Sequence, residues 1–123
     1  MSNFEHSTLV SDLKKSPEEI INELKPKQAD ALHMAVGIAG EAGELLDAIK
    51  KWAIYQKPLD LENVIEELGD LEFYMEGLRQ SLNLTRIETL MENISKLQKR
   101  YSKGEYSNEQ ANERADKAQS QQK

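Results

Sequence analysis

Apolar residues recur along much of this chain at intervals of three and four, the period of helices that bury one face. Val64, Leu68, Leu71, Met75 and Leu78 form one such stripe, and Ile87, Leu90, Met91, Ile94 and Leu97 form another. Between Leu32 and Ile49 the pattern changes. Apolar residues there fall on nearly every side, which predicts a helix buried on more than one face. Near the start, Phe4, Leu9, Val10 and Leu13 fit a short amphipathic helix.

The boundaries of these helices are marked by proline and by capping residues. Ser16-Pro17-Glu18-Glu19 reads as a capping box with proline at the first helical position, opening a helix that ends near Leu24. It ends there because Pro26 disfavours the α conformation at Lys25. A long helix is predicted from about Lys27 to Tyr55, with Pro58 in the turn beyond it. Asp60 is a good N-cap for a third helix over Leu61 to Ser81. Thr85-Arg86-Ile87-Glu88 is a second capping box, opening a fourth helix from Arg86 to Tyr101. Gln110 to Lys123 carries almost nothing apolar and reads as a frayed helix or an unstructured tail.

The expected architecture is therefore all-α. Residues 1–15 form an N-terminal segment, 16–103 a bundle of about four main helices, and 104–123 a polar tail. A chain of 123 residues has little protein with which to cover the second helix on several faces. The pattern thus predicts a bundle completed by homodimerisation.

Composition narrows the classes of function. Apolar residues make up 38% and charged residues 31%, as in a soluble helical protein. The absence of cysteine excludes disulfides and thiolate metal sites. No apolar run approaches the roughly 20 residues that span a bilayer. The opening residues resemble no signal peptide, and a cytoplasmic protein without membrane contact is expected. A formal net charge of −6 argues against nucleic acid as a partner. It leaves a nucleotide substrate open, because metal ions invert the local charge of an acidic site.

The candidate chemistry lies in Gly37-Ile38-Ala39-Gly40-Glu41-Ala42-Gly43-Glu44. Three glycines interrupt a helix, each at a cost of roughly 1 kcal/mol against alanine. Glu41 and Glu44 are at i and i+3 and so are neighbours. Glu67-Leu68-Gly69-Asp70 repeats the arrangement on the third helix. If these helices pack antiparallel, the two acid pairs can face each other. Measured from Asp60 their heights match only roughly, and supercoiling or a bend at the glycines must supply the rest. Converging carboxylates repel one another and lose hydration, so they need basic partners or a metal. Oxygen ligands without cysteine suit Mg²⁺ or Mn²⁺, and such ions serve phosphoryl chemistry. Lys51 lies two turns beyond Glu44, and Asn93, Lys96 and Arg100 form one stripe on the fourth helix, placed to hold phosphates.

The stretches GIAGEAGELLDAIKK (37–51) and EELGDLEFY (66–74) resemble the E-x-x-E … E-x-x-D signature of MazG-like nucleoside triphosphate pyrophosphohydrolases. MENISKLQKRY (91–101) is similar to the Asn, Lys and Arg run that closes that domain. The likeness spans about residues 28 to 103 and is nearest to the short single-domain phage and bacterial type. It implies a dimer or a dimer of dimers. It also implies hydrolysis of a nucleoside triphosphate between the α and β phosphates, with Glu41, Glu44, Glu67 and Asp70 as Mg²⁺ ligands. Glu44 is the expected general base. Lys51, Asn93, Lys96, Arg100 and His33 are the expected substrate contacts.

Each of these residues also has an ordinary reading. Acid pairs at i and i+3 are common on solvated faces, although two pairs that each enclose a glycine among apolar residues are not. Asp47 is expected to pair with Lys50 or Lys51, and Glu66, Glu72 and Glu76 to be solvated, with support of the metal ligands as the alternative for Glu66. His33 reads first as a satisfied core histidine, with contact to base or sugar as the alternative. Trp52 and Tyr74 read as core or dimer interface. The rival functions are a non-catalytic helical interaction or regulatory bundle and a di-iron bundle. The latter would want Glu-x-x-His on two helices, and the chain offers only Asp30-x-x-His33.

Overall fold

The computed structural model describes residues 5–114. Among them it contains six helices and no strand: α1 (His6–Leu13), α2 (Pro17–Glu23), α3 (Pro26–Ala53), α4 (Leu61–Ser81), α5 (Arg86–Arg100) and α6 (Asn108–Glu113). The fold is all-α, as expected. Phe4 of the predicted N-terminal stripe and residues 115–123 of the predicted tail lie outside the described residues. Within the tail, residues 108–113 are a short helix, capped by Ser107 Oγ accepting from the Gln110 N–H at 3.0 Å.

The helix starts follow the local chemistry read from the chain. Ser16 Oγ accepts from the Glu19 N–H at 3.1 Å, with Pro17 at the first position of α2. Asp60 Oδ1 accepts from the Asn63 N–H at 3.0 Å. At α5 both halves of the box form: Thr85 Oγ1 accepts from the Glu88 N–H, and Glu88 Oε2 from the Thr85 N–H, each at 3.1 Å. The helix α3 begins at Pro26, one residue before the predicted start, because Gln28 Oε1 satisfies the Lys25 N–H at 2.9 Å. It ends at Ala53, with Gln56 in the left-handed region (φ 54°) turning the chain away.

The long helices α3 and α4 form the antiparallel hairpin that organises the chain. Two glycines set how closely they approach. The ring of Tyr74 lies against the bare Cα of Gly37, where a Cβ would fall 2.5 Å from Tyr74 Cγ and closer still to Cδ1 and Cε1. Met34 occupies the same kind of space at Gly77. Met34 thus opposes Gly77, Gly37 opposes Tyr74, and Ser81 Oγ reaches the Lys27 carbonyl at 3.4 Å.

The single chain does not bury α3 on several faces. Among the described residues only Ala48, Glu67 and Arg79 are buried. Leu46 is 67% exposed, Ile65 63%, Phe73 67% and Ile87 68%. Extensive helix packing joins α3 to α4 and, more lightly, α5 to α6; α1 and α2 have no such partner. The accessible surface is 10,214 Å², whereas a compact monomer of this mass exposes about 6,700 Å². The apolar stripe on α5 is open along its length, from Ile87 through Leu90, Met91 and Ile94 to Leu97. Among the described residues no helix is long and apolar enough to cross a membrane.

Candidate metal centre

The register of the hairpin places the acids. Each step of three or four along α3 is matched by the same step back along α4. Moving four residues on from the Gly37–Tyr74 pair therefore sets Glu41 opposite Asp70, and three more set Glu44 level with Glu67. The mismatch expected from counting at Asp60 shrinks to three residues because the connection between the helices is long, running from Ile54 to Asp60. Glu44 lies nine residues before the end of α3, and Glu67 six after the start of α4.

One carboxylate oxygen each from Glu41, Glu67 and Asp70 lie within 4.8 Å of one another. Glu67 is the inner member, 9% exposed, on the face of α4 that meets α3. Its Oε2 is buried and has no hydrogen-bond partner. Its pKa is pushed up to about 7. The hydrogen bond shared with Glu41 is the main cause, followed by lost hydration and the charges of Glu41, Glu44 and Asp70. Two carboxyls joined by a hydrogen bond hold a proton between them, and a cation can take that proton's place.

The fourth acid stands apart. The exposed Glu44 is outside the group of three, although its charge acts on both Glu67 and Lys51. Lys51 Nζ lies 2.9 Å from Asp47 Oδ2, one turn back on the same helix. The pairing lowers the Asp47 pKa and raises that of Lys51, through the hydrogen bond first and the opposite charge second. The expected partner of Asp47 is thus Lys51.

His33 is exposed, which corrects the core reading, and its ring meets Tyr74 edge-on at 6.4 Å between centroids. It lies two turns from Glu41, and the Tyr74 ring is held between it and Phe73. Within one chain the site therefore contains the acids, with His33 along the same hairpin. Asn93, Lys96 and Arg100 lie on α5, which does not pack extensively on the hairpin, so the chain by itself does not close them over the acids.

Reading the chain as a string gave no role to Arg79. It is 8% exposed, its Nε 3.1 Å from Glu76 Oε1 and its Nη2 4.0 Å from Glu72 Oε2. The Glu76 pKa is lowered by hydrogen bonds from Gln80 and Arg79. The spacing of Glu72, Glu76 and Arg79, four and three residues, is the signal that could have found this network.

All-oxygen donors, one of them buried and unsatisfied, fit a hard divalent cation better than a packing role. The protein-family model described as the MazG nucleotide pyrophosphohydrolase domain matches residues 29–104, from the first turn of α3 to just beyond α5. No curated protein and no solved structure gives a match.

Proposed function

The chain belongs to the MazG nucleotide pyrophosphohydrolase family, and from that premise we propose that it hydrolyses nucleoside or deoxynucleoside triphosphates with Mg²⁺, or Mn²⁺ in its place. The products are a nucleoside monophosphate and pyrophosphate, and the role is control of a nucleotide pool in the cytoplasm. The observation that carries this reading is the buried, unsatisfied Oε2 of Glu67 beside Glu41 and Asp70. Family membership alone speaks for a nucleotide pyrophosphohydrolase in general. The acid cluster supports the metal, and the signature on α3 and α4 supports the triphosphate.

Glu41, Glu67 and Asp70 would hold the cation, with Glu44 as the fourth ligand. A bound divalent cation supplies charge neutralisation at the phosphates and a more acidic water. The remaining work falls to the chain. Glu44, the exposed member of the set, would double as the base that accepts the proton of the attacking water. Glu67, whose pKa is raised chiefly by its hydrogen bond with Glu41, would have to lose its proton to serve as a ligand. Lys51 lies two turns along the same helix from Glu44 and steadies the phosphate chain. Asn93, Lys96 and Arg100 hold the departing pyrophosphate, where negative charge grows as the bond breaks. His33 lies on the far side of the acids from Lys51 and contacts the base or sugar. The exposed stripes of α3 and α5 support a homodimer or a dimer of dimers.

The test is product analysis of a nucleotide panel with Mg²⁺, omitting any added pyrophosphatase. Monophosphate and intact pyrophosphate are expected, and orthophosphate with a diphosphate would show attack at the γ phosphorus. Glu41→Gln, Glu67→Gln and Asp70→Asn should each abolish turnover in a folded protein. Retention of more than about a tenth of the activity, under 1.4 kcal/mol of barrier, removes that residue from the metal. No turnover with any nucleotide would favour the non-catalytic bundle.

A further inference from the structure

Among the described residues α5 does not pack extensively on α3 or α4, so within one chain its direction is decided at the corner after α4. That corner is built on Arg79. It lies about two and a half turns beyond Asp70, on the side of α4 away from α3, and yet is 8% exposed. The Arg79 carbonyl accepts from the N–H of Leu82 at 3.1 Å and of Leu84 at 2.8 Å, and the Gln80 carbonyl from the N–H of Asn83 at 3.2 Å. Asn83 takes the left-handed conformation (φ 58°) that lets the chain reverse. The side chains of the same two residues are gripped by one carboxylate. Glu76 Oε1 accepts from Arg79 Nε at 3.1 Å, and Glu76 Oε2 from Gln80 Nε2 at 3.0 Å. After those hydrogen bonds, the charges of Arg79 and of Arg86, the first residue of α5, also hold the Glu76 pKa down.

We propose that Glu76 and Arg79 are positioning residues: the clasp between them fixes the direction in which α5 leaves α4, and thereby where Lys96 and Arg100 stand. Hydrogen bonds of an ion pair have fixed directions and set an angle that apolar contacts leave free. The helix amplifies any error at the corner. Lys96 lies about 15 Å along α5 from Arg86, and Arg100 about 21 Å, so a change of about 10° moves them by about 2.6 Å and about 3.7 Å. Either displacement exceeds the span over which a hydrogen bond to a phosphate survives. The acids Glu41, Glu67 and Asp70 lie on α3 and on the opposite side of α4, and are independent of the clasp. The inference rests on the proposed function only for what the α5 residues hold. The direction of α5 can be read without turnover.

The chain has no cysteine, so Glu62→Cys on α4 and Lys99→Cys on α5 can carry spin labels without background. Diluted in excess unlabelled protein, so that only distances within one chain are read, the pair should give one narrow distance distribution. Arg79→Met should broaden it or shift it by about 3 Å or more. Glu72 and Glu76 are each about half exposed and stay hydrated without the cation, so the variant is expected to fold. Glu76→Gln keeps the shape of the clasp and loses its charge, and should disturb the distribution in the same sense by less. A distribution unchanged in both variants overturns the inference.

Kinetics separate positioning from mere support of the fold. In Arg79→Met the Mg²⁺ midpoint, followed by thermal shift, should stay within about twofold of wild type. Over the same comparison kcat/KM for the nucleotide should fall at least about tenfold. In the Lys96→Ala/Arg100→Ala background Arg79→Met should cost almost nothing further, because the groups it positions are already gone. An equal loss in both backgrounds, or a Mg²⁺ midpoint that moves in step with activity, means that Arg79 only supports the fold and overturns the positioning role. Distances that respond as expected while wild type releases no pyrophosphate would refute the proposed function and leave the clasp standing.

Discussion

Replacing Gly37 by alanine tests whether the contact between α3 and α4 sets the geometry of the acids. The added Cβ would lie 2.5 Å from Tyr74 Cγ and closer to two other ring atoms, so the ring must retreat by about 1 Å to reach ordinary contact. Overpacking of this kind costs typically about 1–3 kcal/mol. Alanine returns roughly 1 kcal/mol of helix propensity. The net expectation is a loss of up to about 2 kcal/mol, or a melting temperature lower by up to about 8 °C in a domain of this size. A functional effect follows from the same displacement. Asp70 lies one turn from Tyr74, and two oxygens on one Mg²⁺ can be no more than about 4.2 Å apart. The three acids, with ligand atoms within 4.8 Å of one another, must already draw together to share an ion, and any retreat of α4 opposes that. The Mg²⁺ midpoint, followed by thermal shift, should therefore move to higher concentration in Gly37→Ala. Tyr74→Ala provides the control. In that background the added methyl meets no ring, and Gly37→Ala should become neutral or stabilising by up to about 1 kcal/mol. An equal effect of Gly37→Ala in both backgrounds would refute the argument that the Tyr74 ring governs the approach of the helices.

Two other outcomes are expected. The Glu67 carboxyl, raised from its ordinary 4.5 to about 7, makes the metal-free folded state bind more protons than the unfolded chain between those values. Its contribution to stability is fully present below the lower value and is lost as pH rises through the upper one. Stabilisation by Mg²⁺ should grow over that range, since the cation needs the deprotonated form. Melting with and without Mg²⁺ from about pH 5 to about pH 8 checks both slopes, and a metal effect independent of pH in wild type, or an unchanged slope in Glu67→Gln, would contradict the assignment. At the start of α5, Thr85→Ala removes an acceptor at 3.1 Å and should cost about 1 kcal/mol in denaturant titration, while Thr85→Ser should cost little.

Much of the secondary structure was legible in the residues themselves, because helix ends are decided locally. Ser16 with Pro17, Asp60, and Thr85 with Glu88 each cap a helix through hydrogen bonds within three residues, so the string suffices to place them. The stripes on α4 and α5 followed from period alone. The acids were legible as two pairs, since i and i+3 on a helix are neighbours whatever the fold.

How the pairs meet was not legible, because it depends on the register of two helices far apart in sequence. That register is set where glycine admits a side chain, Gly37 to Tyr74 and Gly77 to Met34, and it brings Glu41, Glu67 and Asp70 together while leaving Glu44 exposed. The burial of Glu67 and the exposure of His33 follow from the same packing. The breadth of the apolar surface on α3 was visible in the pattern, but which part of it one chain covers was not. Hydrophobic periodicity records that a face must leave water, and it carries no information about whether the covering atoms belong to the same molecule. Only the tertiary structure shows that α4 covers one face of α3, and that the stripe on α5 is left open.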